Sequence, residues 1–425
     1  MNVAVIGLWH LGCVTAACLA KAGHHVTAYD PDIELIRMLR EGKAPIFEPG
    51  LEGLLTQDTL KFTSDLHDLR QSSIVWVTHD TPVNDDDKAD VAYVTQEVVQ
   101  LFPYLQDKAL VLISSQMPIG TTRHIAELCR EKWVDKQITF ACSPENLRLG
   151  KAIEVFTQPD RVIVGLESEA DKERVQELLQ PLTDNIIWMT IESAEMTKHA
   201  INAFLATSVV FINEIAALCE YTGADAHEVE RGLKSESRIG PAAYLRPGGA
   251  IGGGTLLRDV HYLIDIGKQK EFPTLLYSSL VQSNDVHKQW VCRRLLHVLG
   301  TLADKKVAIL GLTYKVGTDT LRRSTAVEIC TWLQQQGVTV LAYDPNIQVL
   351  PESLGFIQLK STLDETLEMA DAVILATEYP EFKNLNADYL SQRMPNPMIF
   401  DASGFLAKNL SADERISYYS VGRKA

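Results

Sequence analysis

Apolar positions along the chain fall into short strand-like runs separated by helix-like stretches. Asn2–Ile6 is a β-branched run. It leads into the turn Gly7-Leu8-Trp9-His10-Leu11-Gly12, a small-residue helix pattern over Cys13–Ala22, a stop at Gly23, and a second strand at His25–Tyr29 that ends in Asp30. That order opens a βαβ unit. Further apolar runs at Ile74–Val77, Leu110–Ile113, Ile138–Cys142 and Arg161–Gly165, with helical patterns between several of them, predict a mostly parallel, doubly wound sheet. Ser193–Glu220 contains neither Gly nor Pro and predicts one long helix, with helical patterning to about residue 300. Such a helix serves either as spine and dimer contact or as an ordinary linker.

The pattern then repeats. Val307-Ala308-Ile309-Leu310-Gly311-Leu312 echoes Val3-Ala4-Val5-Ile6-Gly7-Leu8, and Gly337–Pro345 echoes Gly23–Pro31, Tyr-Asp-Pro included. This is an internal repeat of a mononucleotide-binding half. The expected fold class is α/β: two Rossmann-like doubly wound domains (1–190 and 301–425) joined by a central helical domain (191–300). A cleft between the two α/β domains is the natural ligand site.

Composition narrows the function. The 425 residues fit three units at about 150 residues each. Lys plus Arg is 40 and Asp plus Glu is 55, a net charge of −15. That balance argues against nucleic-acid or anionic-membrane partners, which need clustered positive charge. No unbroken apolar run reaches the length of about 18 residues that a membrane span needs, and no basic segment precedes the first strand, so neither a span nor a signal peptide is expected. The seven cysteines are scattered and form no CxxC pair, so no disulfide framework and no metal site are expected, and the setting is a reducing cytoplasm.

Candidate chemistry sits in five places. In the Gly7–Gly12 turn, Trp9 stands where a dinucleotide fingerprint has its middle glycine. Asp30 is placed to accept from ribose hydroxyls and repels a 2′-phosphate, which favours NAD over NADP. The alternative is a similar half-fold that binds no dinucleotide. On the long helix, Glu195, Lys198 and Asn202 share one face; the lysine suits an alkoxide, although a solvated face is the commoner meaning of such a trio. Ser143–Arg148 follows a strand at the carboxyl edge where parallel sheets bind ligands, and Glu145 there is a candidate acid/base or water-holding group; the alternative is a Ser-Pro turn that starts a helix. Five glycines between Gly248 and Gly254 let backbone wrap a ligand, or form a linker. Lys315, Arg322 and Arg323 form a cationic cluster for phosphate or carboxylate.

These blocks, in this order, resemble the UDP-glucose/GDP-mannose dehydrogenase family over nearly the whole chain. The matches are Lys198, Asn202, Asn213 and Glu214 on the helix; Ser143-Pro144-Glu145-Asn146-Leu147; Arg238-Ile239-Gly240; Lys315 and Thr318 with Arg322 and Ser324; Thr81-Pro82; and Pro118 with Gly120-Thr121. The resemblance implies an NAD-dependent dehydrogenase of a nucleotide sugar, a homodimer through the central helix, and a place in polysaccharide biosynthesis. Family members oxidise a C6 hydroxyl to a carboxylate with two NAD, through a thioester on a loop cysteine. The implied catalytic residues are Lys198, Asn202, Asp259, Glu145 and Thr255. The implied cofactor contacts are Gly7, Leu8, Trp9, His10, Leu11, Gly12, Asp30, Thr81, Gln116 and Arg322. The implied substrate contacts are Glu145, Asn146, Leu147, Lys198, Asn202, Arg238, Tyr244, Gly252 and Lys315.

The sequence departs from the family where the thioester chemistry lives. Thr255 stands at the cysteine, Arg258 at a lysine before the retained Asp259, Gln116 at a water-positioning threonine, Leu149 at a second acid, and Ser403 at a substrate-binding arginine. An alcohol is a far weaker acid than a thiol and needs a dedicated base to act as nucleophile. The expectation is one two-electron oxidation. The alternatives are full oxidation through an aldehyde hydrate without a covalent intermediate, and a non-catalytic nucleotide-sugar binder in which Trp9 obstructs NAD.

Overall fold

Both echoed segments become the central strands of parallel sheets, for the same reason: a β-branched run buried on both faces pairs in parallel and must be covered by helices. The computed structural model describes residues 1–82, 89–145, 147–252 and 254–423. The chain divides into two compact units, Met1–Ala200 and Ile201–Ala425.

In the first unit, β1 (Asn2–Ile6) pairs on one side with β2 (His25–Tyr29) and on the other with β4 (Ile74–Val77); β3 (Leu60–Thr63) lies outside β2. The sheet continues through β5 (Leu110–Ile113), β6 (Thr139–Cys142), β7 (Val162–Leu166) and β8 (Ile186–Thr190) in the order β3-β2-β1-β4-β5-β6-β7-β8. All pairs are parallel except β6 with β7, a reversal that the hydrophobic pattern could not reveal because it carries no strand direction. The flanking helices are α1 (His10–Lys21), α2 (Ile33–Arg40), α3 (Val91–Val99), α4 (Thr121–Lys132), α5 (Ala152–Thr157) and α6 (Lys172–Leu179). β4 and β5 are buried at every position. Helix α1 is buried on all sides from Leu11 to Ala20, so its small residues let it lie close to the sheet. It begins three residues earlier than the sequence pattern implied, because the end of the glycine turn is already helical.

Helix α7 (Ile191–Thr222) starts in the first unit and continues into the second. It is two residues longer at each end than predicted. Among the described residues it is the helix that is long and apolar enough, by length and composition, to cross a membrane. Its polar groups are used inside the protein, however: Lys198, His199, Asn202 and Asn213 all bond to protein atoms.

In the second unit come α8 (Ala226–Ser235), α9 (Thr255–Gln269), α10 (Leu275–Lys288) and α11 (Trp290–Leu299), and then the sheet. Its strands are β9 (Lys306–Leu310), β10 (Thr339–Tyr343), β11 (Gln358–Leu359), β12 (Ala372–Leu375), β13 (Met398–Asp401) and β14 (Ser417–Tyr419), in the order β11-β10-β9-β12-β13-β14, all parallel. Helix α12 (Thr325–Gln335) follows β9 only after a long connection.

The echo extends to single hydrogen bonds. Gly7 N donates to the Tyr29 carbonyl at 3.0 Å, and Gly311 N to the Tyr343 carbonyl at 2.8 Å. The two glycines have φ of +89° and +87°, the left-handed region that favours glycine. Leu8 N donates to Asp30 at 2.8 Å, and Leu312 N to Asp344 at 2.6 Å.

Candidate active site

The glycine turn of the first unit has the build of a dinucleotide cradle. A Cβ on Gly12 would lie 1.9 Å from the Gly7 carbonyl oxygen, so glycine is obligatory there. Helix α1 starts at this turn with no side-chain cap on its first amides, which leaves them for an anion. Trp9 has φ of −91°, open to any residue, and its side chain is about half exposed (48%), so the turn itself does not require glycine at this position. Leu8 and Leu11 are buried beneath the turn. Asp30 ends β2 with its carboxylate at the turn, where it accepts from Leu8 N and Asp32 N, and it stays partly exposed. The residues therefore fit NAD.

The echoed turn does not fit a dinucleotide. Asp344 is buried, and both its oxygens are taken: by Leu312 N, Thr313 N and the Thr313 hydroxyl on one, and by Asn346 N and the Tyr379 hydroxyl on the other. No helix starts there among the described residues; α12 begins only at Thr325. Of the two half-folds, the first alone keeps an open acid beside an open helix start.

Two neighbours of the cofactor turn were not foreseen from the sequence. His10 at the start of α1 bonds through Nε2 to Glu48 at 2.9 Å, and Glu48 also accepts from Gly150 N and Ala152 N. Burial works to raise the Glu48 pKa, but these bonds outweigh it and the carboxyl lies below its ordinary range. His79 packs its Nδ1 side against Gly7, edge-on to Tyr93, and burial lowers its pKa. The only signals in the sequence were a proline on either side of the Phe47-Glu48 pair's loop and a histidine at the end of an apolar strand.

At the carboxyl ends of β5 and β6, a small cavity is lined by Ser114, Ser115, Gln116, Cys142, Glu145 and Lys198, among others. Lys198 Nζ donates to the Glu145 carbonyl at 2.6 Å. The Glu145 carboxylate accepts from Leu147 N at 2.5 Å, and the Thr81 hydroxyl donates to the Gln116 carbonyl at 2.7 Å. The structure thus brings together Lys198, Glu145, Leu147, Gln116 and Thr81; Asn146 lies outside the described residues. Glu195, which shares the Lys198 face and also lines this cavity, accepts from Gly120 N and Thr122 N at the start of α4. Burial pushes its pKa up. Cys142 is the thiol that lines this cavity, and burial, with Glu195 beside it, raises its pKa strongly. It stays protonated and is no relocated nucleophile.

In the second unit Asn202 donates to Asp259, which is fully buried. Thr255 is the first residue of α9, exposed, and without a hydrogen-bond partner among the described residues. A second cavity, of about 210 Å³, lies between the glycine loop, α10, α11, the turn after β9, the start of α12 and the ends of β12 and β13. Gly252, Tyr314 and Arg323 line it. Lys315 lies over the Tyr314 ring at 5.4 Å and is exposed, as is Arg322. Arg238 is exposed and pairs locally with Glu236 at 2.9 Å; Tyr244 is also exposed. Among the described residues no group of three or more His, Cys, Asp or Glu is arranged to hold a metal.

Comparison with known proteins finds one family along the chain. Residues 1–183 match the NAD binding domain of the UDP-glucose/GDP-mannose dehydrogenase family, residues 192–286 its central domain and residues 308–408 its UDP binding domain. The chain is 34% identical to UDP-glucose 6-dehydrogenase YwqF of Bacillus subtilis, covering 100% of this chain and 98% of that one. It is also 34% identical to UDP-glucose 6-dehydrogenase of Rhizobium meliloti, with complete coverage of both. Among solved structures, a UDP-glucose dehydrogenase from Pyrobaculum islandicum superposes with a TM-score of 0.86 at 25% identity, covering 100% of this chain and 98% of that one.

Proposed function

The chain belongs to the UDP-glucose/GDP-mannose dehydrogenase family, and from that premise we propose that it carries out a single NAD-dependent two-electron oxidation of a hydroxyl on a nucleotide-diphosphate sugar. The observation that carries the single step is Thr255. An exposed alcohol with no base bonded to it has no route to a covalent acyl intermediate. The seven cysteines are all buried and unpaired, and Cys142, beside Lys198, is held as a thiol.

Gly7, Gly12, the first amides of α1 and Asp30 would hold NAD, with Leu8, Trp9, His10, Leu11, Thr81 and Gln116 of the same unit around it. Bound NAD supplies a hydride acceptor. Lys198 stabilises the negative charge that develops on the substrate oxygen as its proton leaves. Glu145 lines the same cavity and is the base of choice. Asp259, buried and bonded to Asn202, orients that amide toward the sugar. The family resemblance adds Leu147 in the first unit, and Arg238, Tyr244, Gly252 and Lys315 in the second, as candidate substrate contacts. The division of labour is three-part: 1–190 for the cofactor, 191–300 helical, and 301–425 for the nucleotide.

A second copy binds through α7. Phe204, Phe211 and Leu218 are exposed at seven-residue spacing, and Tyr221 continues the stripe. A heptad stripe of this kind seeks a partner helix. The free cysteines fit a cytoplasmic enzyme.

The test is a panel of nucleotide-diphosphate sugars incubated with enzyme and NAD, read by NADH formation. Turnover with one or more of them is the expected result. No NADH with any sugar, together with no NADH binding by calorimetry, leaves the non-catalytic alternative motivated by Trp9.

A further inference from the structure

The path of the glycine loop is set from outside the loop. Asn213 on α7 accepts from Gly248 N at 3.0 Å and donates to the Gly249 carbonyl at 3.1 Å. Asn284 on α10 accepts from Ile251 N at 2.8 Å and donates to the Ile251 carbonyl at 3.2 Å, as a neighbouring strand would. His287 Nε2 donates to the Gly248 carbonyl at 2.7 Å. A carbonyl only accepts, so the imidazole proton must sit on Nε2. Burial lowers the His287 pKa, while the Gly248 carbonyl works the other way. Asn284 and His287 are three apart and share one face of α10. All three side chains are at least nine-tenths buried.

A segment rich in glycine is conformationally free unless held, and ordering it when ligand arrives weakens binding. Here the ordering is already done by α7 and α10. The held segment also borders the second-unit cavity: Gly249, Ala250 and Gly252 line it, and His287 lines it too. His287 therefore both bonds to the loop and borders the cavity that the loop lines.

We propose that Asn284 and His287 are positioning residues, a clamp on α10 that presets the glycine loop to receive the diphosphate-bearing ligand of this cavity. The identity of that ligand rests on the nucleotide-sugar assignment above; the clamp does not.

The test uses full-length protein, wild type beside His287→Ala, His287→Gln and Asn284→Asp. Amide exchange is followed at residues 248–252, and calorimetry measures UDP-glucose and NADH separately. Gln keeps an N–H donor, whereas Asp keeps the acceptor for Ile251 N but turns a negative oxygen toward the Ile251 carbonyl. In the Ala and Asp variants the loop amides should exchange about tenfold faster or more, and UDP-glucose should bind roughly tenfold more weakly. NADH affinity should stay unchanged, and His287→Gln should sit near wild type in both readouts. Unchanged loop exchange in the Ala and Asp variants overturns the proposal. So does faster exchange with unaltered UDP-glucose affinity, or NADH affinity falling in step with it. If wild type binds no UDP-glucose while the exchange pattern appears as stated, the ligand assignment falls and the clamp stands.

Discussion

In the proposed mechanism Lys198 carries the charge that the reaction needs. Its ammonium already points at a backbone carbonyl in the small first-unit cavity, so its charge is placed before substrate arrives. Removing a group of this kind costs about 10²–10³ in rate. Lys198→Ala should therefore lower kcat by that factor in steady-state assays while KM for NAD moves little; kcat within threefold of wild type would remove Lys198 from the chemistry. Gly12 makes a stricter demand. An alanine methyl there would stand 1.9 Å from the Gly7 oxygen, so Gly12→Ala must push the turn and α1 apart. A destabilisation of about 1–3 kcal/mol by denaturant titration, with loss of NADH binding, is expected. Unchanged NADH affinity would separate this turn from the cofactor.

At the level of elements, the periodicities were legible because they are long and consistent. β1 and β2 run as read from Asn2 and His25, and the Tyr-Asp-Pro echo reappears as paired hydrogen bonds to Asp30 and Asp344. The antiparallel β6–β7 pair was hidden, since alternation and burial carry no direction. The candidate motifs were legible as motifs, but not their roles. Glu195 looks like a partner of Lys198 in sequence, and only the fold reveals its bonds to the start of α4. Asn284 and His287 were invisible because two polar residues on an amphipathic helix look like its solvated face. The α7 stripe belongs to this scale. Phe204→Asp with Phe211→Asp should convert a dimer to a monomer by analytical ultracentrifugation with the helix intact by circular dichroism. A wild-type monomer at micromolar concentration would contradict the interface.

For the whole molecule, the acidic balance of −15 is compatible with an anionic ligand because cations are placed locally, Lys198 at one cavity and Arg323 at the other. Stability should also carry a signature of buried imidazoles. His24, His79 and His287 are each held below the ordinary value of 6.5 by burial. Above about pH 6.5 they are neutral in both folded and unfolded chains. As pH falls below that, the unfolded chain takes up protons that the folded one resists, so stability is lost downward from pH 6.5 toward the lowered folded values. Calorimetric Tm should fall between pH 7 and about 5.5; a flat or rising Tm would contradict the neutral buried set. The proposed chemistry of the whole chain is one oxidation rather than two. Its most direct measurement is the ratio of NADH formed to nucleotide sugar consumed at completion, with the product identified by mass spectrometry. One NADH per sugar and an aldehyde or ketone product is the predicted result; two NADH per sugar and a uronic acid would contradict it.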